Sequence, residues 1–248
     1  MKKLLLKLLE KWGYTINPTS DIKDAEFWKI YKWCKPYTMT TIERMYALYC
    51  SVNYVINNKV PGSFVECGVW RGGSSMLIAK MLTNRNIDDR KIYLFDTFEG
   101  MTRPTDNDKD FTGKSAASLL KKNEHNKQES LWALADLSDV QNNMRLTNFP
   151  EEKIVYIKGK VETTIPTTLL NESIALLRLD TDWYTSTKHE LLHLFPKLEN
   201  SGVLIIDDYG HWEGCKKAVD EYFMENGINI LLNRIDYTGR VGIKFNVN

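Results

Sequence analysis

Leu176-Leu177-Arg178-Leu179-Asp180-Thr181-Asp182-Trp183-Tyr184 is an apolar run that stops abruptly at two carboxylates spaced two apart. A helix and a turn later the pattern returns, with Val203-Leu204-Ile205-Ile206 running into Asp207-Asp208. Short apolar runs bounded by turn residues read as buried parallel strands. In open α/β sheets, ligands gather beyond the carboxyl ends of such strands. Two adjacent strands would therefore bring four acids to one rim. Carboxylates that close raise one another's pKa and cannot all ionise without a cation. The pattern implies a divalent metal, with one carboxylate to spare for acid–base chemistry.

Working outward, strand and helix alternate regularly from Ser63. Strands are expected at Ser63–Val69, Lys91–Thr97, Lys153–Lys158, Ile174–Leu179 and Gly202–Ile206. Helices are expected at Gly73–Leu82, Ser115–Glu124, Leu137–Thr147, Thr187–Leu198 and Gly214–Glu225. Ile228–Ile235 and Arg240–Phe245, joined by a turn, read as a closing hairpin. Phe98–Gly113 is rich in Asp, Thr, Pro and Gly, the character of a lid. Upstream, a helix over Asp24–Trp33 must stop near Pro36. Thr40-x-x-Glu43 then fits a capping box that opens a helix carrying Met45, Tyr49 and Val52 at helical spacing. The whole reads as a doubly wound α/β domain over 61–248 with a helical N-terminal extension over 1–60.

The composition narrows the function. A formal net charge of +1 over 248 residues offers no electrostatic footprint for nucleic acid. Cys34, Cys50, Cys67 and Cys215 are scattered without zinc-ligand spacing, as free thiols of a reducing cytoplasm would be. The opening Met1–Trp12 alternates Lys with Leu, is interrupted by Lys7, Glu10 and Lys11, and is too short to span a bilayer. It reads as a basic amphipathic helix that docks on its own domain or a partner chain, with contact to a membrane surface as the alternative, and not as a transmembrane segment.

Glu66-Cys67-Gly68-Val69-Trp70-Arg71-Gly72-Gly73-Ser74 falls between the first strand and the first helix, where glycines let backbone approach a ligand. The G-x-G-x-x-G spacing of dinucleotide sites is absent. Glu66 would repel a pyrophosphate, whereas a cationic ligand would suit it. Asp96, ending the second strand, is where a ribose diol is usually gripped. An acid at the turn and an acid after the second strand point to a cationic nucleoside, and S-adenosylmethionine fits. His189-Glu190-Leu191-Leu192-His193 matches a zinc signature, but its helix carries the apolar face of an ordinary sheet-covering helix. It reads as coincidence.

Several blocks taken together resemble the macrocin O-methyltransferase family: Tyr37-Thr38-Met39-Thr40, Phe64 to Ser74, Phe95-Asp96-Thr97-Phe98-Glu99-Gly100, Leu177 to Thr187, and Ile206-Asp207-Asp208-Tyr209. The resemblance implies a Rossmann-like class I methyltransferase fold with a seven-stranded, mostly parallel sheet, and an S-adenosylmethionine- and Mg²⁺-dependent enzyme that methylates a sugar hydroxyl. It places metal ligands on Asp180, Asp207 and Asp208 and a general base on Asp182. Cofactor contacts would fall on Glu66, Gly68, Gly72, Ser74 and Asp96, with Met39, Ser138 and Asp139 as weaker candidates. Tyr184, His211 and Trp212 are candidates to line the acceptor pocket. With the leucine-rich N-terminus, the resemblance also suggests a homo-oligomer.

One departure is visible. The family commonly has Gly between the two acids, and this chain has Thr181, which is comfortable in a strand. Asp182, two residues beyond Asp180, would then lie on the same side of that strand. Two rival readings share the metal logic. A glycosyltransferase holds a metal with Asp-x-Asp against a nucleotide sugar, which Glu66 and Asp96 would repel, and a catechol-type methyltransferase would take a flat phenol.

Overall fold

Cys67, Leu179 and Ile206, the last residues of three neighbouring strands, stand level with one another, so the acids that follow them emerge at one rim. These strands belong to a sheet of seven in the order β3 (Ile154–Lys158), β2 (Ile92–Asp96), β1 (Ser63–Cys67), β4 (Ile174–Leu179), β5 (Leu198–Ile206), β7 (Arg240–Ile243), β6 (Asn233–Arg234). The computed structural model describes residues 21–128, 131–168 and 172–245; the leucine-rich opening at 1–12 lies outside them. Strands β1, β2, β3, β4 and β5 are parallel. The short β6 and β7 close the sheet antiparallel. Every residue of β1 and β4 is buried, as expected of strands covered on both faces.

The chain steps outward from β1 to β2 and β3, then crosses back to β4. The crevice where that direction reverses lies between the ends of β1 and β4, where α/β sheets bind ligands. Alternation along the strands separates two cores. Phe64 and Leu176 face helices α1 (Ala25–Cys34), α2 (Ile42–Asn57) and α3 (Gly73–Asn84), packing with Phe27, Val52 and Leu77. Helices α4 (Ala116–Lys122), α5 (Leu137–Arg145) and α6 (Val161–Thr164) occupy the connections around β2 and β3. On the opposite face, Val65 and Leu177 meet Leu191 of α7 (Tyr184–Leu194) and Val219 of α8 (Glu213–Glu225). Among the described residues, no helix is long and apolar enough to cross a membrane.

The predicted seven strands and their mostly parallel order are present, and four local expectations are corrected. The cap of α2 is Thr41, whose hydroxyl accepts the Arg44 N–H at 3.2 Å; Thr40 instead accepts from the buried Arg178 guanidinium at 3.3 Å. Helix α7 begins at Tyr184, three residues early, because the Asp108 carboxylate accepts the Tyr184 N–H at 2.8 Å and satisfies the helix start. Strand β5 begins at Leu198, which pairs with Ile174 before the register shifts. The first arm of the hairpin contracts to β6, since an edge strand has only β7 to pair with and β7 is four residues long.

Candidate active site

Strand β4 ends at Leu179, and the next three residues turn sharply. The Trp183 N–H donates to the Thr181 carbonyl at 2.7 Å, closing a three-residue turn around Asp182, whose φ is +66°. Left-handed backbone at a non-glycine residue is costly and concentrates at functional sites. Asp182 thus reaches the rim through this turn and not, as its spacing suggested, by strand alternation. Thr181 likewise lies in the turn, not in the strand, and its hydroxyl donates to the buried Glu190 carboxylate at 3.1 Å.

One carboxylate oxygen from each of Asp180, Asp207 and Asp208 lies within 4.8 Å of the others. Two arginines partly compensate them. Arg178, 2% exposed, donates to Glu66 at 2.5 Å and to Asp207 at 2.7 Å, and pairs with Asp180 at 2.7 Å. Arg44 contacts the other oxygen of Asp207 and pairs with Asp236 at 3.2 Å. Asp208 keeps an oxygen that is buried without a partner. Burial, reinforced by the Asp180 carboxylate, pushes Asp208 up to about 7, and burial with Asp208 beside it pushes Asp182 well above the usual carboxylate range. Convergent oxygen donors, an orphaned carboxylate oxygen and an excess of negative charge fit a hard divalent cation.

Beside the acids runs the turn that follows β1. Gly68 has φ +82°, and a Cβ there would lie 2.0 Å from the Asp180 carbonyl oxygen, so only glycine lets the two strand ends meet. Gly72 caps α3 at φ +89°. Asp96 accepts the backbone N–H groups of Val69 at 2.6 Å and Phe98 at 2.7 Å, fixing this turn against the end of β2. Glu66 is buried; its carboxylate is held by Arg178 and Ser75 and does not enter the cavity.

A single cavity of about 470 Å³ joins these features, the size of a small-molecule site. Of the residues singled out in the sequence, Met39, Gly68, Ser74, Asp96, Asp180, Asp182, Asp207, Asp208, His211 and Trp212 line it. Gly72, Ser138, Asp139 and Tyr184 do not. Asp139 forms a double hydrogen bond with Arg71, Ser138 donates to Asp136, and the Tyr184 hydroxyl donates to Glu221 at 2.6 Å. The Phe98–Gly113 segment supplies Gly100, Met101 and Thr102 to the wall. It is stitched down by Trp183 Nε1 on the Thr102 carbonyl at 3.1 Å and by a bridge between Asp110 and Trp212.

Among the lining residues that escaped the sequence reading are Arg44 and Tyr237. Arg44 did carry a signal: a cation in the first turn of a helix opposes the helix dipole and must answer to another partner. Tyr237 sits in the turn before β7, and no spacing pattern connects it with the distant acids. The zinc-like pattern forms no such centre. Among the described residues, the three clustered aspartates are the one group of three acidic, His or Cys side chains poised for a metal.

A family model for macrocin O-methyltransferases matches residues 1–242. The chain belongs to the macrocin O-methyltransferase family. It is therefore an S-adenosylmethionine-dependent O-methyltransferase, which decides between methyl transfer and glycosyl transfer for the Asp-x-Asp motif. The chain is 34% identical over 203 residues to demethyldecarbamoylnovobiocin O-methyltransferase of Streptomyces niveus, covering 82% of this chain and 74% of that one. It is 32% identical, over 82% of this chain and 74% of the other, to 8-demethyl-8-(2,3-dimethoxy-alpha-L-rhamnosyl)-tetracenomycin-C 4'-O-methyltransferase of Streptomyces olivaceus. The solved structure of the O-methyltransferase NovP superposes with a TM-score of 0.73 at 32% identity, covering 85% of this chain and 83% of that chain. Its agreement with the seven-stranded sheet identifies a Rossmann-like class I methyltransferase fold.

Proposed function

We propose that this member of the macrocin O-methyltransferase family methylates a hydroxyl of a sugar ring carried by a glycoside, with Mg²⁺ or another divalent cation held by Asp180, Asp207 and Asp208. The observation that carries the reading is the convergence of these three carboxylates, with Asp182 beside them, in the cavity that also receives the glycine turn. The Streptomyces olivaceus relative, named for methylating a compound that bears a rhamnosyl group, supports a sugar acceptor.

S-adenosylmethionine supplies an electrophilic methyl group on a sulfonium, and the cavity wall offers Gly68, Ser74 and Asp96 to hold it. A divalent cation supplies Lewis acidity that lowers the pKa of a hydroxyl by several units. Everything else falls to the chain. Arg178 and Arg44 orient Asp207 from two sides. The turn around Asp182 places its carboxylate beside the acid cluster in the cavity wall, where it would take the acceptor proton as the methyl moves. Holding the reactants in line contributes further.

The test is transfer of labelled methyl groups from S-adenosylmethionine to a panel of pyranosides and phenols, with and without EDTA. Labelling of pyranosides that EDTA abolishes and Mg²⁺ restores is the expected result. Labelling of phenols alone, or labelling that EDTA does not affect, would overturn the sugar or the metal part of the reading respectively.

A further inference from the structure

Three aromatic rings from three separate segments meet beside the cavity, two of them, His211 and Tyr237, in its wall. Phe111 belongs to the stitched-down segment after β2, His211 follows the acids at the end of β5, and Tyr237 lies in the turn before β7. The ring centroids of Phe111 and His211 are 5.5 Å apart, those of Phe111 and Tyr237 5.9 Å, and those of His211 and Tyr237 5.8 Å. Phe111 is 60% and Tyr237 50% exposed. Single exposed aromatics need no explanation, but a touching, partly exposed cluster that reaches into a functional cavity marks a contact surface.

The cluster is built to hold its shape. Asp110 bridges to Trp212, and the Gly210 N–H donates to the Thr238 carbonyl at 2.9 Å. A Cβ on Gly210 would fall 1.9 Å from the Tyr237 carbonyl oxygen, so the two turns can approach only through a glycine. The Tyr237 hydroxyl and His211 Nδ1 are 3.1 Å apart, which ties the two rings to one another.

We propose that Phe111, His211 and Tyr237, whose rings stand tilted or edge-on to one another, form an aromatic platform that packs against a planar, uncharged ring attached to the methylated sugar, the aglycone of a glycoside. This rests on the sugar-methylation reading. His211 and Tyr237 line the same cavity as Asp182 and Asp208, so a sugar held at the acids directs its substituent towards the rings. The charges beneath the platform favour a neutral occupant over a nucleotide diphosphate. Asp110 and Asp236 fold the turns that carry Phe111 and Tyr237, and Arg44 is engaged by Asp207 and Asp236.

The test compares matched probes on the full-length protein with S-adenosylhomocysteine and Mg²⁺: methyl pyranosides, the corresponding 4-nitrophenyl pyranosides, and UDP-glucose, titrated by calorimetry. The wild type should bind the nitrophenyl member of a pair roughly fivefold to tenfold more tightly than the methyl member. Phe111→Ala and Tyr237→Ala should bring that ratio close to one, and Tyr237→Phe should preserve it. Equal binding of the two members, a preference that survives both alanine variants, or tighter binding of UDP-glucose than of any aryl glycoside would overturn the proposal alone. Failure of every pyranoside to bind would overturn it together with the sugar reading.

Discussion

Arg178 on β4 donates to Asp207, the residue after β5, at 2.7 Å, so a buried cation on one strand orients a clustered carboxylate on the next. The same guanidinium serves Glu66 and Asp180. Removing one partner of a buried ionic network leaves uncompensated charge and costs about 3–5 kcal/mol. Arg178→Met should lose stability on that scale in urea unfolding. A loss below about 1 kcal/mol, the range of surface pairs, would show that the acids do not depend on Arg178.

Gly68→Ala tests the contact between the strand ends. The added methyl collides with the Asp180 carbonyl, and the left-handed backbone at φ +82° adds strain. The expected cost is roughly 3 kcal/mol or more, read as a lowered thermal midpoint. A midpoint equal to that of the wild type would mean the strands part without penalty.

Glu190 gives a pH dependence that can be signed. Burial raises its pKa well above 4.5, and its second oxygen has no partner. An acid raised on folding binds more protons in the native state, so its share of stability is full below 4.5 and is lost as pH climbs through the raised value. Glu190→Gln removes this titration. Its stability relative to the wild type should improve as pH rises above the ordinary Glu value of 4.5. Parallel stability–pH curves for the two proteins would contradict the assignment.

Asp182→Asn should keep binding of Mn²⁺ and S-adenosylhomocysteine while turnover falls ~10²–10⁴-fold, the usual worth of general-base help. Rates measured with the best pyranoside from the labelling panel decide it. Near-normal turnover would remove Asp182 from proton transfer.

The sheet was legible because β4 and β5 are apolar runs cut off by acids, a pattern set by burial along the strand and solvent or ligand at its end. The convergence of Asp180, Asp207 and Asp208 followed from the same pattern. What escaped was how side chains share partners across the fold. Glu66 reads as a ligand for a cation when seen alone, and only the packing reveals that Arg178, inward-facing on β4, takes it. Thr181 looked like a strand residue, yet it is the hinge of a turn anchored by Glu190, nine residues on. Tyr237 reaches the cavity through the turn before β7, clasped by Thr238 on the Asp207 carbonyl at 2.7 Å, a tertiary contact with no local signature.

Titrating Mn²⁺ by calorimetry into the full-length protein saturated with S-adenosylhomocysteine tests most directly whether the three aspartates hold a divalent cation. The wild type should show a single saturable site, and Asp208→Ala should weaken it at least tenfold while leaving S-adenosylhomocysteine affinity intact. A wild type that binds no Mn²⁺, or an Asp208→Ala variant that binds it as tightly as the wild type, would contradict the assignment.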